Sequence, residues 1–332
     1  MTIRLRDRVV YVAARAAIGL AARVPQWLGY GLADALGRLF FALDRRRRGY
    51  ALRFLRNAYP EATDAERLRI GSRATGNLFK VPLDMARLTR LLARGGSVRD
   101  VVDFTAAEAT LAAAKPPFLG LTGHLGNWEV GAVAMAQSVG RAHGIARVSR
   151  NPLLQRWILD NRQRGGLVIH PRRGGVRDLA RALAAGEVGL QVVDQNQRLR
   201  GVFVPFFGEV ASCERAAVSL ALRSGYPVVF GTALRIGRGF RFRFVMHGPI
   251  RLAVTGDRAA DLRAGVLRVN QEIERMVRLA PEQYLWIHDR YRTRPQDCAD
   301  DAALDDGAAD HDAADHDAAD HDAADHDAAG DY

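Results

Sequence analysis

The sequence predicts a mixed α/β protein in which a largely parallel sheet is flanked by helices. From residue 118 onward, short apolar runs alternate with amphipathic segments of about 10–15 residues, a pattern typical of parallel sheets. Residues 1–95 show helical periodicity instead, and residues 297–332 form a low-complexity repeat. We therefore expect an N-terminal helical region (1–95) packed as one unit with an α/β domain (96–296), followed by a disordered tail (297–332).

The first helix is predicted from Met1 to about Ala22. At about 100° per residue, its arginines share roughly a third of the circumference, and apolar side chains gather opposite. The arginines are Arg4, Arg8, Arg15 and Arg23, and the apolar residues are Val9, Val10, Ala13, Ala17, Leu20, Ala21 and Val24. Such a helix either lies in the interface of an anionic bilayer or docks on the protein's own core. It lacks the uncharged run of ~20 residues that a membrane span needs, and the cleavage site of a signal peptide.

Two further helices are predicted before residue 95. One covers residues 27–55 and contains the basic run 45–48. The other covers residues 63–92 and begins with Thr63-Asp64-Ala65-Glu66, a helix start with early acidic residues. The basic run is either a solvated helix face or, beside the aromatic pair Phe40-Phe41, a surface that attracts anionic phospholipid.

The first buried strand is predicted over residues 118–122, an apolar run that lies between Pro116-Pro117 and Gly123. Residues from Asn127 onward have the pattern of a helix. His124 therefore lies where a strand becomes a helix. Ligands of open α/β sheets bind outside the carboxyl ends of the strands, so His124 is a candidate reactive group.

Glu129 follows His124 by five residues across this turn. A carboxylate that holds one ring N–H of an imidazole leaves the other nitrogen as a base near neutral pH. Such a pair activates a hydroxyl, which here can belong to the substrate. The alternative is structural: a histidine beside a helix start and a glutamate in the first turn, where the helix dipole favours negative charge.

Further strands and helices alternate up to a second acidic position, Asp194. We expect a strand over residues 144–148, a helix over 152–164, a short strand over 167–169, a helix over 176–185 and a strand over 188–193. Asp194 thus ends a strand as His124 does, and the two side chains are expected to face the same crevice. Asp194 assists His124 there, or it is a turn residue that satisfies its own loop.

The remainder of the domain is predicted to contain an aromatic segment, two strands and two helices. Residues 201–208 are read as a loop or edge wall because Pro205 cannot donate to a ladder. Their phenylalanines, Phe203, Phe206 and Phe207, either line an acyl-chain tunnel or pack in the core. The other elements are a helix over residues 211–224, strands over 227–234 and 240–247, and a long helix over 261–279.

The charge distribution points to an anionic partner. The chain of 332 residues carries 48 Lys and Arg against 37 Asp and Glu, a net charge of +11. Because 14 of the acids lie in residues 297–332, which have no Lys or Arg, the body opposes 48 basic to 23 acidic residues and carries +25. A nucleic acid, an anionic membrane or an acidic protein fits such a surface. The two cysteines, Cys213 and Cys298, lack metal-ligand spacing and are consistent with a reducing compartment.

The tail repeats the unit Asp-His-Asp-Ala-Ala four times between Asp310 and Ala329. Its only apolar residue type there is alanine, which buries too little surface for independent folding. Its His and Asp side chains either bind divalent metal weakly or form a disordered acidic extension that arose by repeat slippage.

Three separated segments resemble the bacterial lipid A biosynthesis acyltransferase family. They are Gly123-His124-Leu125-Gly126-Asn127-Trp128-Glu129, the stretch Asp194-Gln195-Asn196 with Gly201–Gly208, and Ala280–His288. The resemblance covers most of residues 1–296 and implies a glycerolipid acyltransferase-like fold. Because the three segments occur in the right order along the chain, the resemblance is more specific than any single motif.

The resemblance implies roles for individual residues. His124 is the expected general base, with Glu129 as its acidic partner and Asp194 assisting or replacing Glu129. The residues expected to bind substrate are Asn127, Arg150, Arg162 and Arg164. Arginine grips phosphate with two parallel hydrogen bonds, which suits acyl donors and lipid acceptors. Backbone N–H groups near Gly126 and the Asn127 helix start are expected to stabilise the oxyanion.

The sequence thus predicts an acyltransferase at the cytoplasmic face of the inner membrane, peripheral or monotopic. An acyl carrier protein or coenzyme A thioester is the expected donor, a lipid A precursor or related glycolipid or phospholipid is the expected acceptor, and no metal or redox cofactor is needed. The alternatives are an arginine-rich protein that binds nucleic acid or another anionic surface, and a thioester hydrolase of the same fold. The chain has no Gly-x-Ser-x-Gly elbow.

Overall fold

Strands and helices alternate along most of the chain in the computed structural model, which describes residues 3–146, 149 and 151–295. The strands are β1 (Val102–Asp103), β2 (Leu119–Thr122), β3 (Ala142–Ile145), β4 (Leu167–His170), β5 (Val188–Val192), β6 (Val202–Phe206), β7 (Glu209–Cys213), β8 (Val228–Arg235) and β9 (Phe242–Ile250). The helices are α1 (Leu5–Ala21), α2 (Gln26–Leu43), α3 (Arg45–Ala58), α4 (Asp64–Ala93), α5 (Glu108–Ala113), α6 (Trp128–Val139), α7 (Pro152–Arg164), α8 (Gly175–Ala184), α9 (Ala216–Ser224) and α10 (Arg258–Leu279). The predicted tail lies outside the described residues.

Seven strands form one sheet in the order β1-β9-β8-β2-β5-β3-β4. Strands β8, β2, β5, β3 and β4 run parallel, whereas β9 is antiparallel to β8 and β1 is parallel to β9. The largely parallel sheet that the sequence predicted is therefore confirmed. In the pairing of β2 with β5, Thr122 lies opposite Val192. The residues two positions beyond them, His124 and Asp194, therefore leave the sheet side by side.

Helix α1 turns most of its predicted apolar face outward. Val9 is 60% exposed and Leu20 is 69% exposed. The half-buried positions Tyr11, Ala14 and Ile18 mark the side that packs towards α4 and α7. Docking of α1 on the protein's own core thus uses a different face from the one on which the sequence gathers valine and leucine.

The helix predicted over residues 27–55 is two helices, α2 and α3. Asp44 separates them, because its carboxylate accepts a hydrogen bond from the backbone N–H of Arg47 and so begins α3. Capping by a short acidic side chain favours a new helix start over continuation. On α2, five leucines share about a quarter of the circumference and are exposed. This leucine stripe consists of Leu28, Leu32, Leu36, Leu39 and Leu43.

Within residues 201–214, the helix start predicted at residue 211 was wrong. Strands β6 and β7 form an antiparallel hairpin separate from the main sheet. A two-stranded hairpin has only one ladder, which accommodates Pro205 opposite Val210. Residues 211–213 are therefore strand, and α9 begins later, where the Glu214 carboxylate accepts hydrogen bonds from the N–H groups of Ala216 and Ala217.

Phe54 of α3 joins the N-terminal helices to the α/β part. Its ring lies 4.9 Å from that of Trp286 and 5.8 Å from that of Phe206. Phe206 and Phe207 are buried in this core. These contacts favour core packing for the two phenylalanines over a role in a tunnel wall. The domain boundary at residues 95–96 stays a prediction. Across the described residues, no helix combines the length and the apolar character that a membrane crossing requires.

Candidate active site

The turn between β2 and α6 places His124 at the carboxyl end of the sheet. Two glycines permit its shape. Gly126 has φ +61°, and a Cβ there would lie 2.3 Å from the backbone oxygen of Ala233. A Cβ on Gly123 would lie 2.9 Å from Oδ2 of Asp194. The spacing Gly-His-x-Gly therefore allows the turn to approach β8 on one side and a carboxylate on the other.

Asp194 binds His124 through both of its carboxylate oxygens. Oδ2 accepts a hydrogen bond from the backbone N–H of His124, and Oδ1 lies 2.7 Å from ring Nδ1. Asp194 is buried, with 2% of its side chain exposed, while 17% of the His124 side chain is exposed. Because Nδ1 faces the acid, Nε2 is the ring nitrogen directed towards the crevice.

The electrostatics of the pair keep the imidazole basic. Burial by itself lowers the pKa of His124, but the charge and hydrogen bond of Asp194, with a contribution from the charge of Glu129, raise it above 6.5. Burial likewise raises the pKa of Asp194, and the contact with His124 reverses this, so the pKa of Asp194 lies below 3.8. Asp194 therefore stays ionised beside His124, and its charge makes Nε2 of the imidazole more basic.

The closing segment of the domain supports this acid. The side chain of Tyr284 helps to lower the pKa of Asp194, and the backbone of Tyr284 forms a bridge with Leu125 of the turn. His288 accepts a hydrogen bond at Nε2 from the backbone N–H of Asn196. Burial lowers the pKa of His288, which therefore remains neutral. The three sequence segments that resemble one family thus meet around the His124–Asp194 pair.

Glu129 is bound to Arg162, which changes its predicted relation to His124. Oε1 of Glu129 accepts from Nη2 of Arg162 at 2.6 Å, and Oε2 accepts from Nε at 3.3 Å. Both side chains are 20% exposed. Glu129 lies in the first turn of α6, and α7 brings the arginine to it. The direct acidic partner of His124 is Asp194, and Glu129 acts on the imidazole only through its nearby charge.

Asn127, a predicted substrate ligand, serves the fold. It is 1% exposed, and its side-chain oxygen accepts hydrogen bonds from the N–H groups of Glu129 and Val130 at the start of α6. Its amide group donates to the carboxylate of Asp84. These bonds occupy Asn127 with capping and anchoring, so this geometry favours a structural role.

Asp84 is the centre of a buried polar network that the sequence reasoning missed. Its carboxylate accepts hydrogen bonds from the hydroxyl of Tyr30, the amide of Asn127 and the guanidinium of Arg235. Asp84 has no exposed surface. The network ties α2 and α4 to the start of α6 and so fixes the turn that carries His124. An acidic residue among the apolar core positions of α4 was the available signal.

The predicted phosphate-binding arginines differ in their placement. Arg162 lies beside Glu129 at the end of the sheet, whereas Arg164 is exposed and donates to Asn161. Arg150 lies outside the described residues. Only Arg162, of these three, is thus placed by the structure next to the His124 turn.

Two of the backbone donors expected near the oxyanion are bound within the protein. The N–H of Gly126 donates to the backbone oxygen of Gln283, and the N–H of Asn127 donates to that of Ala233. A different donor lies at the crevice. Nε2 of the Gln195 side chain is 3.3 Å from Nε2 of His124. Gln195 follows Asp194 directly. The end of β5 therefore places a carboxylate at Nδ1 of His124 and a side-chain amide near Nε2 of the same ring.

An apolar cavity lies between α6 and the sheet, next to the His124 turn. This inner cavity has a volume of about 110 Å³. Its lining includes Met135, Leu190 and Phe244 together with Trp128 and the Glu129–Arg162 pair. The indole of Trp128 also contacts the ring of His124, at 4.7 Å between centroids. The cavity therefore lies beside Trp128, which contacts His124, and its lining is mostly apolar, as in hydrocarbon-binding sites. The described residues contain no group of three or more His, Cys, Asp or Glu arranged to hold a metal ion.

Comparison with known proteins gives matches over almost all of the described residues. The model of the family described as bacterial lipid A biosynthesis acyltransferase matches residues 5–293. The lipid A biosynthesis lauroyltransferase of Escherichia coli is 27% identical over 293 residues, which are 83% of this chain and 89% of that protein. A lipid A biosynthesis acyltransferase of Haemophilus influenzae is 30% identical over 146 residues, 44% of each chain. The palmitoleoyltransferase of E. coli is 30% identical over 125 residues, 37% of this chain and 39% of that protein.

Proposed function

Because the chain belongs to the bacterial lipid A biosynthesis acyltransferase family and is an acyltransferase, we propose that it transfers a fatty acyl group from an acyl thioester to a hydroxyl of a lipid A precursor. The main support for this proposal is the contact between His124 and Asp194 at the carboxyl end of the sheet. An acidic acyl carrier protein or coenzyme A supplies the thioester, and the basic body of the protein suits either donor.

In the proposed mechanism, Nε2 of His124 takes the proton of the acceptor hydroxyl while Asp194 stabilises the imidazolium. The hydroxyl oxygen attacks the thioester carbonyl, and a tetrahedral intermediate forms. Its collapse breaks the C–S bond, and the imidazolium returns the proton to the departing thiolate. The products are the acylated lipid and a free thiol, so no oxidant, metal or other cofactor is required.

We propose that the side-chain amide of Gln195 stabilises the developing oxyanion. Its amide lies at the reactive face of the imidazole, whereas the N–H groups of Gly126 and Asn127 are bound within the protein. A side-chain amide that donates to an oxyanion stabilises it in the way that backbone donors do in other acyl-transfer enzymes. The inner cavity takes the acyl chain of the donor, because it reaches Trp128 beside His124.

The proposed location is the cytoplasmic face of the inner membrane. The leucine stripe of α2 and the outer face of α1 expose apolar side chains, and α2 and α3 carry the exposed guanidinium groups of Arg38 and Arg47, which pair with Asp34 and Asp44. Apolar side chains that enter the acyl boundary beside guanidinium groups that meet anionic headgroups are typical of helices lying in the interface. In this arrangement the enzyme meets its acceptor in the membrane and its donor in the cytoplasm.

The experiment that tests the function incubates purified protein with a lipid A precursor and a lauroyl thioester, carried either by acyl carrier protein or by coenzyme A. Mass spectrometry is expected to show a lipid heavier by one acyl group and a free thiol in equal amount. Free fatty acid without acylated lipid would identify a thioester hydrolase instead. Comparison of the two donors identifies the carrier.

A further inference from the structure

A second apolar cavity shares the Glu129–Arg162 pair with the inner cavity. This outer cavity, of about 300 Å³, is lined by residues of α1, α4, α6 and α7. Its apolar lining includes Ile18, Met85, Leu88, Leu92, Trp157 and Ile158. Glu129 and Arg162 line both cavities. The ion pair therefore borders two spaces whose lining is mostly apolar.

We propose that the outer cavity binds a hydrocarbon chain of the lipid acceptor while the inner cavity holds the chain of the donor. This proposal rests on the proposed function, since a reaction between an acyl thioester and a lipid brings two chains to one histidine. Two spaces that share one polar boundary allow the polar ends of both chains to lie near each other. The shared boundary is the Glu129–Arg162 pair.

The position of the outer cavity favours the acceptor as its occupant. Ile18 of α1 forms part of its wall, and the same helix exposes Val9, Val12 and Leu20 on its outer side. The cavity thus lies beneath a surface that presents apolar side chains outward. A lipid that arrives from a bilayer meets this side of the protein first. The inner cavity instead lies against the sheet and next to Trp128.

The Glu129–Arg162 pair suits the boundary between a chain and its headgroup. Its two hydrogen bonds use Nε and Nη2 of Arg162, so Nη1 carries donors outside this contact. A guanidinium in this position offers a donor to an ester, amide or phosphate oxygen near the start of a lipid chain. Leakage of one chain into the other space would require a charged pair to be displaced by methylene groups, which is unfavourable.

The first test fills each cavity separately. Thr89 lines the outer cavity and Ala132 lines the inner one. We expect Thr89→Phe to raise KM for the lipid A precursor about tenfold, a loss of about 1.4 kcal/mol, without changing the preferred chain length of the donor. Ala132→Phe is expected to shift the preference to shorter donors and to leave KM for the lipid unchanged. Ala93→Phe, at an exposed position of α4, is the control for added bulk.

The second test uses the tryptophans that line the cavities, and it requires no turnover. Trp157 lines the outer cavity and Trp128 lines the inner one. A lipid A precursor with brominated chains is expected to quench fluorescence in the wild type and in Trp128→Phe, and to lose most of this quenching in Trp157→Phe. A brominated acyl thioester is expected to show the opposite dependence.

The outcomes separate this proposal from the proposed function. If Thr89→Phe changes donor chain length, or if the brominated donor quenches Trp157, the two cavities form one donor tunnel and the proposal is wrong. It is also wrong if Thr89→Phe leaves both parameters unchanged. Absence of acyl transfer by the wild type, with quenching of Trp157 by the brominated lipid, would contradict the proposed function and leave the outer cavity as a lipid site.

Discussion

Asp194 binds the backbone N–H and the ring Nδ1 of His124 at once, each at 2.7 Å. One contact fixes the turn, and the other fixes the ring and its tautomer. Since Asp194 is buried and holds both the backbone and the ring of His124, the histidine has little freedom to rotate away. The same carboxylate therefore sets both the position and the basicity of the proposed general base.

The first prediction concerns pH. A base must be unprotonated to act, so the activity of the wild type is expected to rise with pH through the elevated pKa of His124, above 6.5. Asp194→Asn removes the charge that raises this pKa, and the acid limb of kcat/KM is expected to move to lower pH. The maximal rate should fall by about 10²–10⁴ because the imidazolium loses its stabilising charge. An acid limb that stays in place would show that another group controls it.

The second prediction concerns Gln195. Loss of one oxyanion donor lowers kcat by about 10²–10³, so Gln195→Ala is expected to do so with little change in KM. Gln197→Ala, two residues further along the loop, is the matched control and should retain the wild-type rate. Steady-state kinetics with a lauroyl thioester measure both parameters. Equal rates for the two variants would exclude an amide contribution from Gln195.

The third prediction concerns the membrane. Leu32→Ser combined with Leu36→Ser removes the centre of the leucine stripe and is expected to weaken binding to vesicles of anionic phospholipid by about tenfold or more, because two buried leucines contribute several kcal/mol. Leu279→Ser alters an exposed leucine on α10 and should leave binding unchanged. Vesicle co-sedimentation provides the measurement. A double variant that binds as the wild type does would place the membrane contact elsewhere.

The fourth prediction concerns the shape of the turn. Gly126 and Gly140 both have positive φ, but a Cβ on Gly126 meets the Ala233 oxygen, whereas a Cβ on Gly140 meets no atom within 4 Å. Gly140→Ala should therefore lower the free energy of unfolding by about 1 kcal/mol through backbone strain alone. Gly126→Ala adds a steric clash with β8 and should cost clearly more. Denaturant titrations of both variants measure the difference, and equal losses would contradict the clash.

Local sequence patterns predicted most elements well because helix capping and apolar periodicity act over a few residues. Thr63 begins α4 with the expected capping box, and the strand predicted over 188–193 is β5 within one residue. Local signals failed where tertiary pairing decides. The strand predicted at 144–148 begins earlier, at Ala142, where β4 and β5 set its register, and residues 147–148 lie outside the described residues. The β6–β7 hairpin forms because each strand supplies the other with a ladder.

The candidate site could be read from the sequence only in part. The motif located His124, and the strand end located Asp194. Their contact depends on β5 lying next to β2, although β3 and β4 come between them in the chain. Likewise, Glu129 contacts Arg162 because α7, which packs against α1, α4 and β4, brings its arginine to the first turn of α6. No spacing in the sequence encodes that choice of partner, which is why the nearer acid was expected to hold the histidine.

His124→Ala tests the central claim most directly. Purified wild type and variant, compared for thermal unfolding to confirm the same fold, are assayed for transfer of a lauroyl group to a lipid A precursor. We predict that the rate of lauroyl transfer by the variant is lower by about 10²-fold or more. The variant should still bind the lipid, because only the proton acceptor is removed. A variant that acylates the lipid as fast as the wild type would contradict the account.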